Sequence, residues 1–240
     1  PHDIRAPYVG ASAFAHKGGL HVNAVQKLAR SYEHIRPEEV GNTQNILVSE
    51  LSGQSNILLK AEALGFKLDK GSPEVQQILR EIKRREALGY EYEAADGSLD
   101  LLIRKTLRPD APPFFELLEY HCNFRYFANS HECSTCEATV KILVNGECLY
   151  TVDEGDGPVN ALDAALRKAL RHAYPAVDSI RLSDYKVRII DSKQGTAART
   201  RVLVVSTDGK DEWGTVGVSD NIIEASWQAL VDSFEYRLGK

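Results

Sequence analysis

Apolar positions along the chain change their spacing once, near residue 110. In the first half they recur at helical intervals. Val22, Val25 and Leu28/Ala29 follow the Gly18-Gly19 pair, and 53–64 (GQSNILLKAEAL) reads as a second helix stopped by Gly65. The clearest helix start is Ser72-Pro73: serine is a good N-cap, and proline fits the first helical position, where a missing N–H costs little. Val75, Ile78, Leu79 and Ile82 then form one apolar stripe, with Gly89 as the stop. A shorter helix over 99–105 carries Leu99, Leu102 and Ile103 on one side. The stretch 108–113 (RPDAPP) cannot continue a helix and favours an extended linker. Beyond it the pattern predicts strands over 115–127, 138–144 and 148–152, then a helix (GDGPVNALDAALRKAL) opening at Pro158. Strands over 185–190, 201–206 and 212–218 follow, then a second helix (NIIEASWQALVDSF).

The two strand-and-helix units align at a constant offset of 64: Thr151/Thr215, Val152/Val216, Ala161/Ala225, Ala165/Ala229 and Leu166/Leu230. An internal duplication follows. The expected fold is α+β: mostly helical linker subdomains over 1–108, then a duplicated βββα domain over 114–240. Each unit is expected to leave an apolar sheet face that needs the other unit to cover it.

Composition narrows the function classes. The 240 residues are 43% hydrophobic and 26% charged, with net charge -5, an ordinary globular balance. Mild acidity, with no basic cluster longer than Lys83-Arg84-Arg85, argues against a nucleic-acid surface. No apolar run has membrane-spanning length, and four cysteines in 240 residues do not make a disulfide scaffold. The expected location is cytoplasmic. Methionine is absent and the chain opens PHDIRAPYVG, which reads as a fragment of a longer protein or a processed one.

The seven histidines include no H-x-H and no H-E-x-x-H. His16 and His21, five residues apart, would diverge on a helix and cannot share a metal by local geometry. Gly18 and Gly19 place His16 in a loop ahead of the helix that holds His21. As a residue it is a proton-transfer candidate or a backbone-bonded loop histidine, and Tyr32 by itself reads as a helix-end aromatic. Cys133 and Cys136 form a C-x-x-C without a second pair at zinc spacing, so zinc and a turn packing small apolar thiols both stand as readings. No metal site is assigned.

The string YVGASAFAHKGGLHVNAVQK…SYEHIRPEEVGN…VSELSGQSNI resembles the segment after the catalytic barrel in the 2-isopropylmalate/citramalate/homocitrate synthase family. GDGPVNALDAAL, LSDYKVRIID…GTAARTRVLV and WGTVGVSDNIIEASWQALVDS resemble that family's duplicated regulatory domain. SAFAHKGGLH, YEHIRPEEVGN and SWQALVDSFEYRL are most similar to its citramalate synthase branch. The resemblance implies an acyltransferase condensing acetyl-CoA with a 2-keto acid, pyruvate to citramalate, in branched-chain amino-acid biosynthesis. 2-Isopropylmalate or homocitrate synthase is the alternative within the family. It implies a catalytic proton-transfer role for His16, accompanied by Tyr32, next to the barrel of a partner subunit. A homodimer follows, with a divalent metal in the absent barrel, no cofactor in this chain, and no catalysis by this chain alone. It also implies feedback binding of isoleucine or leucine at Gly157, Val159, Asn160, Tyr185, Ile189, Thr196, Ile222 and Ile223, where ordinary core and turn roles are the competing reading. The alternative of another class is a stand-alone amino-acid-binding or dimerisation module with no catalytic role.

Overall fold

A computed structural model describes residues 6–10, 13–16, 35–42, 45–46, 54–127 and 135–240. These form two compact units, Pro1–Glu93 with Leu102–Leu107, and Ala94–Leu101 with Arg108–Lys240. The helix predicted after Gly19 lies outside the described residues.

In the first unit, β1 (Ala15–His16) pairs in parallel with β2 (Asn45–Ile46), and His16 stands opposite Ile46. The backbone of His16 is therefore in a ladder, where the sequence predicts a loop. A two-residue strand is too short to leave a period, and its partner lies thirty residues away. Helix α1 (Gln54–Ala63) buries Ile57 and Ala61 and packs on α2 (Pro73–Ala87), which buries Val75, Ile78 and Ile82. Ser72 caps α2, its Oγ accepting from Val75 N–H at 3.4 Å. Gly65 and Gly89 follow the two helices with φ of +83° and +105°, the left-handed conformation that glycine adopts without strain. Helix α3 (Asp96–Leu107) starts three residues before the predicted Leu99 and is shared between the two units.

The second unit holds two antiparallel sheets. β3 (Glu116–Arg125), β4 (Thr135–Val144) and β5 (Glu147–Gly155) make the first in that order; β6 (Arg181–Ile189), β7 (Thr200–Thr207) and β8 (Glu212–Ser219) make the second. Helix α4 (Pro158–Leu170) follows the first sheet and α5 (Ile222–Leu238) the second. Asn145 and Gly146, both at positive φ, turn β4 into β5, the two-residue hairpin solution that matches strand twist.

The duplication extends to register. Val140 pairs with Thr151 and Val204 with Thr215, 64 residues on; Thr151 Oγ1 donates to Ala165 O at 2.8 Å and Thr215 Oγ1 to Ala229 O at 2.7 Å. The first strands keep an offset of 65 (Tyr120/Val140 against Tyr185/Val204), and so do their bulges, after Leu117 and after Leu182. The uniform offset of 64 thus fails at the first strand, because the equivalent pairs Tyr120–Val140 and Tyr185–Val204 are separated by 20 and 19 residues.

Alternate residues of β4 (Cys136, Ala138, Val140, Ile142, Val144) face Ala161, Leu162, Ala165, Leu166, Ala169 and Leu170 of α4 in one core. Burying each such leucine is worth about 2 kcal/mol. Val202 and Val204 meet Ala225 and Ala229 in the second repeat. The other face of α5 brings Trp227 and Phe234 into the first repeat's core, with the Trp227 ring 5.1 Å from Tyr120. The repeats therefore join through α4 against α5, not sheet on sheet, and each helix covers its own sheet.

β8 is buried along almost its whole length. Its edge is closed by the start of α3: Gly214 N–H donates to Asp96 Oδ1 and Val216 N–H to Ser98 Oγ, both at 3.0 Å. A Cβ on Gly214 would run into Ala94 O, so this approach requires glycine. Closing the edge removes a template for unwanted strand pairing.

Candidate functional site

Two regions carry the residues singled out from the sequence. The first surrounds β1. Asn42 reaches across a 32-residue separation, donating from Nδ2 to Gly10 O at 2.9 Å and to Tyr8 O at 2.8 Å. Phe14 is buried two residues before His16, and Pro37 is buried at the start of a 3-10 turn closed by Gly41 in the left-handed conformation. The backbone ladder holds the strand that carries His16, and the Asn42 clamp ties the segment just before it. Tyr32 lies outside the described residues.

The second region is the pair of helix starts in the duplicated unit. Gly157 is the extended N-cap of α4 and offers no side-chain cap. Pro158 has no N–H, and the N–H groups of Val159 and Asn160 meet no protein acceptor among the described residues. No atom lies within 4 Å of where a Gly157 Cβ would stand. The Asn160 side chain turns back, its Oδ1 accepting from Asp156 N–H at 3.2 Å. A half-open helix start of this kind favours a carboxylate by hydrogen bonding and by the helix dipole.

The start of α5 is closed by its own residues. Asn221 Oδ1 accepts from Ile223 N–H at 2.9 Å and Glu224 N–H at 3.5 Å. Ser219 Oγ, within 2.8 Å of Glu224 Oε2, accepts from Asn221 N–H at 3.0 Å. Tyr185 Oη and Ser226 Oγ lie 2.6 Å apart, and Ser226 Oγ donates to Ile222 O, so Tyr185 and Ile222 are brought together through Ser226. Ser226 was not singled out from the sequence; its equivalent in the first repeat is Leu162, and that polar-for-apolar exchange was the available signal.

Ile223 packs against the first repeat's core, and Ile222 is exposed. Ile189 is 63% exposed at the end of β6, and Thr196 is exposed in the short 3-10 segment that follows. No hydrogen bond joins Gly157, Val159 or Asn160 to Tyr185, Ile189 or Thr196 among the described residues. Cys136 is fully buried on the helix side of β4, and Cys133 lies outside the described residues. Burial pushes the thiol of Cys122, its neighbour across the sheet, up to about 11.

Residues 93–238 match the family model of the LeuA allosteric (dimerisation) domain. The chain belongs to this family. Both helix starts and the whole duplicated unit fall inside the LeuA allosteric domain match. Residues 8–88, with His16 and Tyr32 among them, match the homocitrate synthase post-HMGL domain-like model. Among curated proteins the chain is similar to the (R)-citramalate synthase of Synechocystis sp., 50% identical over 237 residues, covering 98% of this chain and 43% of that protein. The (R)-citramalate synthase of Aquifex aeolicus is 48% identical over 240 residues, covering 98% and 44%. The 2-isopropylmalate synthase of Clostridium kluyveri is 29% identical over 226 residues, covering 94% and 40%. The chain thus spans less than half the length of these relatives. No described helix is long and apolar enough to cross a membrane.

Proposed function

We propose that this chain is the linker and regulatory portion of an acyltransferase that condenses acetyl-CoA with pyruvate to form citramalate. The observation that carries this reading is the 50% identity to an (R)-citramalate synthase over 98% of the chain. The match of 8–88 to a domain found after a catalytic region supports a catalytic context over a stand-alone binding module. The condensation needs a base for the weakly acidic methyl group of a thioester, then attack of that carbon on the keto carbonyl. His16 is the residue assigned to this proton transfer, since an imidazole can take and return a proton near neutral pH. Tyr32 is its companion. The Asn42 clamp and the β1–β2 ladder are positioning elements for the His16 backbone.

A divalent metal that would polarise the keto group belongs to the barrel of the intact enzyme. Among the described residues no three His, Cys, Asp or Glu side chains converge, and no step here runs through that metal. The effector is a branched-chain amino acid, isoleucine first. Its carboxylate goes to the Val159 and Asn160 N–H groups beside Gly157, and apolar side chains near the repeats' seam take its hydrocarbon end. The intact enzyme acts as a homodimer, in keeping with the family's description as a dimerisation domain and with exposed Tyr150 and Val152 on the outer face of the first sheet.

The test is coenzyme A release from acetyl-CoA and pyruvate. The 240-residue chain alone is expected to release none, and His16→Gln in the intact enzyme is expected to lower kcat about 100-fold or more with little change in KM. Turnover by the chain alone, or full kcat in the variant, contradicts the assignment.

A further inference from the structure

Two thiols share the helix-facing side of the first sheet. Cys122 of β3 stands opposite Ala138, and Cys136 of β4 opposite Phe124, so the pair lies on one diagonal of the β3–β4 ladder. Strand alternation puts both on the same face. Tyr120 and Cys122 are half-buried between exposed His121 and Asn123, and Cys136 is fully buried in line with Ala138 and Val140. Both pack on the same core, and both are free thiols. Burial, then the Cys136 thiol through its charge and a hydrogen bond, holds the Cys122 thiol up at about 11, and burial also raises that of Cys136. At neutral pH both therefore keep their protons.

The diagonal decides what the pair can do. Diagonal neighbours on a sheet stand about 7–8 Å apart at Cα, beyond the about 4.4–6.8 Å that a disulfide spans. A bond between the sulfurs would need the strands to shift. A cation held between the sulfurs spans the longer separation with both strands in place. Thiolates select soft cations, and copper(I) is satisfied by two of them in a line. Zinc needs four ligands, and among the described residues no three His, Cys, Asp or Glu side chains converge. The neighbours on this face are small: Ala138 opposite Cys122, and Gly155, which pairs with Cys136 from β5. A Cβ on Gly155 would touch Asn160 and Ala161, so the first turn of α4 lies against this end of the sheet. The positive end of that helix favours the single negative charge left by a monovalent cation between two thiolates.

We propose that Cys122 and Cys136 form a two-coordinate site for a soft monovalent cation, copper(I). Binding replaces two S–H bonds with two S–Cu bonds and releases both protons, with no change of oxidation state. The half-buried Cys122 is the side from which the ion enters. The proposal goes beyond the citramalate synthase reading and does not rest on it.

Titration of the reduced 240-residue chain with copper(I) in acetonitrile under nitrogen tests it, read by the ultraviolet absorption of copper-bound thiolate and by calorimetry in buffers of different ionisation enthalpy. One ion per chain is expected, with two protons released near neutral pH. Cys122→Ser should weaken binding more than about 100-fold, since losing even a supporting partner of a metal ligand costs about 10–100-fold. Cys148→Ser, at an exposed position of β5, should leave affinity unchanged. Cys122 is half-buried, so its variant should keep the wild-type circular dichroism and decides the matter if Cys136→Ser folds poorly. No saturable binding, an equal loss in Cys148→Ser, or affinity lost in Cys133→Ser but kept in Cys122→Ser would each overturn the proposal. So would a Cys122–Cys136 disulfide that forms in air with the fold intact.

Discussion

Gly157 and Asn221 occupy equivalent positions in the two repeats and cap their helices in opposite ways. Asn221 satisfies the first N–H groups of α5 with its own side chain, and Glu224 and Asp220 add negative charge there. Gly157 leaves the N–H groups of Val159 and Asn160 without a protein acceptor among the described residues. The helices also meet their sheets at different places. α4 lies tight against Gly155, where a Cβ would be 2.6 Å from Ala161 N, and α5 against Gly217, whose Cβ would collide with Ala225 O. The position equivalent to Gly217 is Asp153, whose side chain has room to lie 3.5 Å from Lys168. Duplication has preserved the middle of each unit, including the Thr151 and Thr215 bonds, while one helix start stays open and the other is sealed. Within the duplicated unit the two described helix starts therefore differ, one without a side-chain cap and one with it.

The largest effect that would break this comparison is at the tight contact. Gly217→Ala forces backbone against backbone and should cost about 2–3 kcal/mol, read as a lowered denaturant midpoint, whereas Asp153→Ala should cost under about 1 kcal/mol. Equal costs would mean that α5 does not lie as close as described. Next, Thr215→Val and Thr151→Val keep side-chain volume and remove one hydrogen bond each. About 1 kcal/mol is expected for both, with Thr215 the costlier because it is fully buried. The smallest pair sharpens the caps. Asn221→Ala should lose about 1 kcal/mol in a thermal melt, and Gly157→Ala only a few tenths, because no side-chain cap is lost. A large loss at Gly157 would show that its openness has a structural purpose.

The chain displayed its regular elements openly. Ser72-Pro73 and the Val75, Ile78, Ile82 stripe defined α2, and Thr151/Thr215 marked a duplication that the hydrogen bonds reproduce. What it hid was non-local. Asp96-Gly97-Ser98 lies ahead of the predicted helix start at Leu99, yet it forms the first turn of α3, with Asp96 and Ser98 accepting N–H groups 118 residues away on β8. The same distance effect hid the ladder at His16 and the thiol pair, since Cys122 and Cys136 come from separate strands. The open helix start was half legible. Glycine and proline announced a helix beginning, but only comparison with the sealed start at Asn221 distinguishes the two. For His16 and Tyr32 the residues alone leave the role open, and the role proposed for them rests on family resemblance.

The account stands most directly on calorimetric titration of the 240-residue chain with isoleucine, leucine and valine. Saturable heat from at least one of them, at one molecule per chain and weakened by Gly157→Asp but not by Asn221→Asp, is the predicted result. No heat from any of the three, or two molecules bound per chain, would contradict it.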